Sequence, residues 1–135
     1  MIGEFSLLWG SMALLLVSAC GGGSDSEPVP VPVVCTPSIE AGIRIQVTDS
    51  ASGNPISCGA RAVVTAGAYS EVVENPSSPG CFDTAMLVAA LERPDTYGVT
   101  VSKAGYLDFA INDLVVTAGV CHVNTVTVEA RLSSM

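Results

Sequence analysis

The sequence predicts an all-β fold, a seven-stranded two-sheet sandwich carried behind a signal peptide and a flexible tether. Three observations predict it. Apolar and polar residues swap at period two in several short segments beyond Cys35, as half-buried strands require. Clusters of Gly, Pro, Asn, Asp and Ser separate those segments. Neither helical periodicity nor a strand–helix–strand pattern competes, and seven short strands in about a hundred residues is sandwich proportion.

The elements follow in chain order. Residues 5–19 (Phe5 to Ala19) carry no charge. The run is too short for a membrane span of about 20 apolar residues and fits the apolar core of a signal peptide. It opens with Glu4 in place of the usual Lys or Arg, which predicts a true start other than Met1. It ends in Val17-Ser18-Ala19-Cys20, which resembles the lipobox of bacterial lipoproteins. The resemblance implies that residues 1–19 are removed and that Cys20 carries a diacylglycerol thioether as the first mature residue. Gly21 at the sorting position then implies the outer membrane in a Gram-negative cell. The competing reading is an uncleaved anchor with Cys20 as an ordinary thiol.

Residues 20–34 form the predicted tether. Gly21-Gly22-Gly23-Ser24-Asp25-Ser26-Glu27 is polar and flexible. Pro28-Val29-Pro30-Val31-Pro32 favours extended polyproline II, rising about 3.1 Å per residue. The domain is expected over residues 35–132.

Ile43 to Thr48 alternates cleanly and is the first strand; residues 49–55 make a turn. Ala60 to Ala66 is the second strand, ended by Gly67, and Tyr69 to Glu74 the third. Ala85 to Leu91 is compatible with helix or strand; its seven residues between Pro-rich turns favour a strand. Tyr97 to Ser102 is the fifth strand, and Leu107 to Ile111, extending toward Val116, the sixth. In the last strand Val126, Val128, Ala130 and Leu132 point inward, while Thr125, Thr127, Glu129 and Arg131 point outward.

A second resemblance rests on these strands. Ile45-Gln46-Val47-Thr48-Asp49-Ser50-Ala51-Ser52-Gly53-Asn54-Pro55-Ile56 is similar to the opening strand and turn of a carboxypeptidase regulatory-like domain. Glu92 to Tyr106, which closes on Lys103-Ala104-Gly105-Tyr106, resembles its central segment. Cys121-His122-Val123-Asn124-Thr125 is similar to the approach to its last strand. The resemblance spans about residues 35–132 and implies an immunoglobulin- or transthyretin-like sandwich. Its motifs specify turns and strands, so they identify a fold better than a function. The transthyretin-like fold also includes hydroxyisourate hydrolases, which use several His, an Arg and a Tyr-Arg-Gly-Ser-type tail. This chain has one His and ends Arg131-Leu132-Ser133-Ser134-Met135, so those positions have no counterpart.

Export implies an oxidising compartment. With lipid on Cys20, four cysteines remain: Cys35, Cys58, Cys81 and Cys121. A zinc site fails on spacing, since no Cys-x-x-Cys occurs and His122 is the sole His. Four cysteines allow three pairings. Strand parity selects one of them. If the first strand climbs from an end holding Cys35, both the turn with Cys58 and the loop with Cys81 lie at the other end. After three further strands Cys121 returns to the end of Cys35. First and last strands are often parallel neighbours in such sandwiches, so Cys35–Cys121 and Cys58–Cys81 are expected. Other pairings must cross a sheet about 17–20 Å long, while bonded Cα atoms lie within about 7 Å.

Charge narrows the function. The formal net charge is −8, and removal of residues 1–19, with Glu4, leaves −7. No basic block exists, which argues against nucleic acid as partner, because phosphate binding needs clustered Lys and Arg. His122 must serve any Ser-His or Cys-His pair, and beside Cys121 it reads as structural. Glu71 and Glu74 fall on opposite faces of one strand and read as solvated surface. Asp49, Asp83, Asp108 and Asp113 lack the spacing of a calcium loop. Neither a catalytic residue, a cofactor nor a metal is therefore expected. The function expected is that of a non-enzymatic, lipid-anchored envelope protein acting in structural, adhesive or protein-interaction roles. The alternative is a carbohydrate- or peptide-binding accessory module of an envelope uptake or processing complex. Sugar platforms use aromatic stacking, and with no Trp after Cys20 only Tyr69, Tyr97 and Tyr106 could serve; Tyr97 and Tyr106 read as core or turn anchors.

Overall fold

The computed structural model describes Gly23 and residues 26–135. The signal segment and Cys20 lie outside the described residues. Residues 26–33 carry no strand or helix, and every side chain among them is exposed.

Residues 34–135 form a compact unit of seven strands. These are β1 (Ala41–Asp49), β2 (Arg61–Ala66), β3 (Tyr69–Glu74), β4 (Leu87–Leu91), β5 (Asp95–Ser102), β6 (Phe109–Val116) and β7 (Val126–Leu132). They make two sheets, ordered β4-β1-β7 and β3-β2-β5-β6. The predicted sandwich is present, and no helix occurs among the described residues. The ambiguous segment at 85–91 is a strand from Leu87 onward; Ala85 belongs to the preceding turn, where its N–H donates to the Phe82 carbonyl. The sixth strand starts at Phe109 rather than Leu107 and does reach Val116.

β1 is the central strand of its sheet. It pairs antiparallel with β4 and parallel with β7, in register from Ile43↔Val126 to Asp49↔Leu132. Its burial alternates because one face meets the other sheet: Ile43, Ile45 and Val47 are buried, while Arg44 is exposed. The opposing sheet contributes Val64, Tyr97, Val99 and Val101, also fully buried. Leu87, Val116, Val123, Val128 and Leu132 add to it, and alanines at 60, 62, 66, 89, 90 and 130 take up the remaining positions. Such a core has few large groups, so little apolar area is removed from water per residue.

Two glycines stand where the backbone leaves no room for another residue's conformation or side chain. The β2–β3 hairpin turns through Gly67 and Ala68, and Gly67 takes φ +55°, the positive value that a two-residue hairpin needs at its first central position. Inside β1, a Cβ on Gly42 would lie 2.5 Å from the Ala90 carbonyl oxygen and 3.2 Å from Val116 Cγ1. Close approach, not flexibility, therefore explains that glycine.

The cysteines join Cys35 to Cys121 and Cys58 to Cys81, with Cα atoms 5.3 and 5.7 Å apart. The parallel β1–β7 pairing brings the first pair together, and the ends of β1 and β3 bring the second. One bridge thus sits at each end of the sandwich.

Candidate functional site

At the end where the chain enters the domain, Glu92 is the organising residue. It follows β4 with φ +49°. Its carboxylate accepts from the Glu40 amide at 2.7 Å, the Val123 amide at 3.3 Å and His122 Nδ1 at 2.7 Å. The Glu40 amide, and then His122 and Val123, hold its pKa below the ordinary value. His122 Nε2 lies 3.3 Å from Thr36 Oγ1 and 3.5 Å from Ser38 Oγ. The order hydroxyl–imidazole–carboxylate is that of a nucleophile, its base and an orienting acid. Both hydroxyl contacts are at or beyond the long end of hydrogen-bond distance, and the carboxylate is occupied by backbone. The cluster instead fastens residues 36–40, Glu92 and residues 121–123 around the Cys35–Cys121 bridge.

A second cluster closes one side of the sandwich. Glu71 is not the solvated surface carboxylate that its sequence suggests. Tyr69, Glu71 and Val73 share the inward face of β3 and are part-buried, while Ser70, Val72 and Glu74 are exposed. Glu71 Oε2 accepts from the Tyr69 hydroxyl at 2.6 Å and from the Ala90 amide of β4 at 2.9 Å. That bond to the carboxylate pushes the Tyr69 pKa up to about 12. The Arg93 guanidinium lies over the Tyr69 ring at 4.0 Å, and Tyr69 meets Tyr97 edge-on at 6.2 Å. Glu74 does face solvent, paired with Arg61 at 3.0 Å.

The far end, opposite Cys35, carries an open cleft of about 690 Å³. Its walls are residues 58–59, the loop at 74–78, Asp83 and Lys103-Ala104. They are firmly held. Cys58–Cys81 joins two of them covalently. The Cys58 amide donates to Asp83 Oδ1 at 2.9 Å, and the Ser57 amide to the Asp83 carbonyl at 3.2 Å. Asn75 Nδ2 donates to Ser57 Oγ and the Phe82 carbonyl, and Lys103 Nζ donates to the Cys58 carbonyl. Phe82 stands between Cys81 and Asp83 and is 74% exposed. A smaller cleft of about 210 Å³ lies over the outer face of β1 and β7, between Gln46 and Arg131. Neither cleft includes His122.

The residues singled out in the sequence are spread over these places. Asp49 caps its own turn by accepting from the Ala51 and Ser52 amides, and the Ser52 contact leads in lowering its pKa. Asp83, Asp108 and Asp113 are all exposed, and Asp83 also braces the far cleft. No metal-holding group of His, Cys, Asp and Glu occurs among the described residues. Tyr97 is 1% exposed and donates to the Arg93 carbonyl at 2.8 Å, and Tyr106 donates to Asp49 Oδ2 at 3.2 Å. With Tyr69 under Arg93, all three tyrosines are committed to structure. The exposed aromatic that sequence reasoning missed is Phe82; its place between two bridged or turn-forming residues in a Pro-rich loop was the available signal. Neither a protein-family model nor a curated protein matches the chain.

Proposed function

We propose that the chain is an exported, membrane-anchored envelope lipoprotein of the carboxypeptidase regulatory-like type. Its sandwich acts as a non-catalytic module in structural, adhesive or protein-interaction roles. One observation carries this reading. The four cysteines of the domain pair among themselves, and the fifth in the sequence is Cys20. It stands directly behind the apolar run and the lipobox-like Val17-Ser18-Ala19. Two disulfides also suit an oxidising compartment, which export supplies. Lipid on Cys20 is the membrane contact, and the outer membrane is its site if the source is Gram-negative. A single acyl chain binds a membrane only marginally, so a diacylglycerol-bearing Cys is what makes the anchor durable. In the source cell, Cys20→Ala is expected to abolish labelling by a fatty-acid analogue and move the protein from the membrane to the soluble fraction. Unchanged labelling of the variant sinks the reading.

The cleft opposite Cys35 favours a second reading, a carbohydrate- or peptide-binding accessory module. It is braced by a disulfide and side-chain hydrogen bonds and is of the size of ordinary ligand sites.

A further inference from the structure

We propose that the end of the sandwich holding the Cys35–Cys121 bridge docks on the zwitterionic lipid surface to which Cys20 is fastened, with Val34, Ile39, Leu91, Val115 and Val120 seated in the interface. The proposal rests on the lipid-anchor reading above and adds a second, non-covalent contact with the same membrane.

The topology gathers these five side chains at one end. β1 begins there at Ala41, opposite Leu91 at the end of β4. Residues 92–94 join Leu91 to Asp95, where β5 begins opposite Val116 at the end of β6, so Val115 belongs to the same end. The bridge brings in Val34 and Val120, each next to a bonded Cys. Ile39 stands between Ser38, whose hydroxyl meets His122, and Glu40, whose amide donates to Glu92. Val34, Ile39 and Val120 are 88, 71 and 83% exposed, and Leu91 and Val115 are more than half exposed. Single apolar side chains are ordinary on a surface, but five at one end mark a contact.

Charge separates this end from the other. Its acids already have partners: Glu92 holds His122 at 2.7 Å, Glu40 lies 4.0 Å from Arg44, and Asp95 lies 3.8 Å from Arg93. Asp113, three residues before the end of β6, is the nearest acid that pairs with no base among the described residues. The far end also exposes Phe82, Met86 and Leu107, but Asp49, Asp83 and Asp108 there pair with no base among the described residues. Moving such carboxylates out of water is costly, so only the Cys35 end suits a lipid interface.

The covalent path names the occupant. Cys20 and Cys35 are 15 positions apart in the sequence. That length reaches at most about 50 Å fully extended and spans about 20 Å on average as a flexible chain. The Cys35 end is thereby held near the bilayer, at an effective concentration on the order of millimolar. A contact too weak to recruit the free domain is sufficient there, so residues 35–135 alone stay soluble. Apolar area entering the interface drives such binding and needs no anionic lipid, which an acidic chain would repel. The sandwich then stands on its Cys35 end, with the far cleft turned toward the aqueous phase.

The test uses the full chain, purified from its own membrane and reconstituted into vesicles of phosphatidylcholine and phosphatidylethanolamine. Removal of residues 1–19 takes away Trp9, the only Trp, so a Trp placed in the domain is a unique fluorophore. Acyl-brominated phosphatidylcholine is expected to quench Val120→Trp at least about threefold more than Phe82→Trp, a similarly exposed site at the far end. Adding Ile39→Asp to Val120→Trp should lower the quenching to the level of Phe82→Trp. Val34→Asp should do the same and decides the matter if Ile39→Asp misfolds. Equal quenching at the two ends overturns the docking face and leaves the anchor standing. So does quenching that neither Asp variant lowers, or that salt at about 1 M abolishes. Trp fluorescence from the wild-type chain, or an unmodified Cys20 in its mass spectrum, overturns the anchor reading and the docking with it.

Discussion

Glu71 shows how one side chain closes an open sheet edge. β4 is an outer strand of its sheet, and the Ala90 amide on it donates to a carboxylate from the other sheet. Removing that acceptor, by Glu71→Ala, is expected to cost about 1–3 kcal/mol of stability, read as a lower denaturant midpoint. The same variant should return Tyr69 from about 12 toward the ordinary 10.0, visible in an ultraviolet titration of the phenols. Two carboxylates, Glu92 and Asp49, give the stability a dependence on acid pH. Glu92 and Asp49 have folded pKa values below their ordinary 4.5 and 3.8. Their stabilisation is present above those ordinary values and is lost as pH falls through the lower folded ones. Glu92→Gln should therefore flatten the acid side of a stability–pH curve measured below about pH 4.5 and leave the alkaline side unchanged. The inward face of Glu71 was legible, since it alternates with Tyr69 and Val73. Reading it as surface gave a carboxylate's usual preference for water more weight than the strand period. The three contacts of Glu92 were not legible, because their donors lie at 40, 122 and 123, distant in sequence.

Among the elements, β1 carries the fold. It has partners on both sides, and its parallel pairing with β7 joins the two ends of the domain sequence. Gly42→Ala puts a methyl group 2.5 Å from a backbone carbonyl, so β1 or β4 must shift. A loss of about 1–3 kcal/mol in denaturant unfolding is expected. Wild-type stability in that variant would mean that β4 does not approach β1 there. The strands were legible because burial on one face writes a period of two into the sequence, as Ile43-Arg44-Ile45-Gln46-Val47 shows. Their ends were less so: Leu107 has strand-forming character, but the chain still follows the turn at Lys103–Tyr106, and pairing with β5 begins only at Phe109. The far cleft was illegible as a site. Its walls come from four separate segments, and only Cys58 and Cys81 announced that two of them meet.

For the whole molecule, the bridges compensate for a thin core. From chain entropy, closing sequence separations of 23 and 86 residues contributes about 3 and about 4.5 kcal/mol. Replacing Cys35 and Cys121 by Ala should accordingly cost more than replacing Cys58 and Cys81, as compared by thermal unfolding. Residues 35–135, produced alone, are expected to be soluble, monomeric and β-rich; a strongly helical circular dichroism spectrum would contradict the fold. The claim that the sandwich hangs from lipid rests on Cys20, and one measurement reaches it directly. Mass spectrometry of the N-terminal peptide from protein purified out of its own membrane should find Cys20 as the first residue, carrying diacylglycerol on its sulfur. An N-terminal peptide that still contains residues 1–19, or an unmodified Cys20 thiol, contradicts the account.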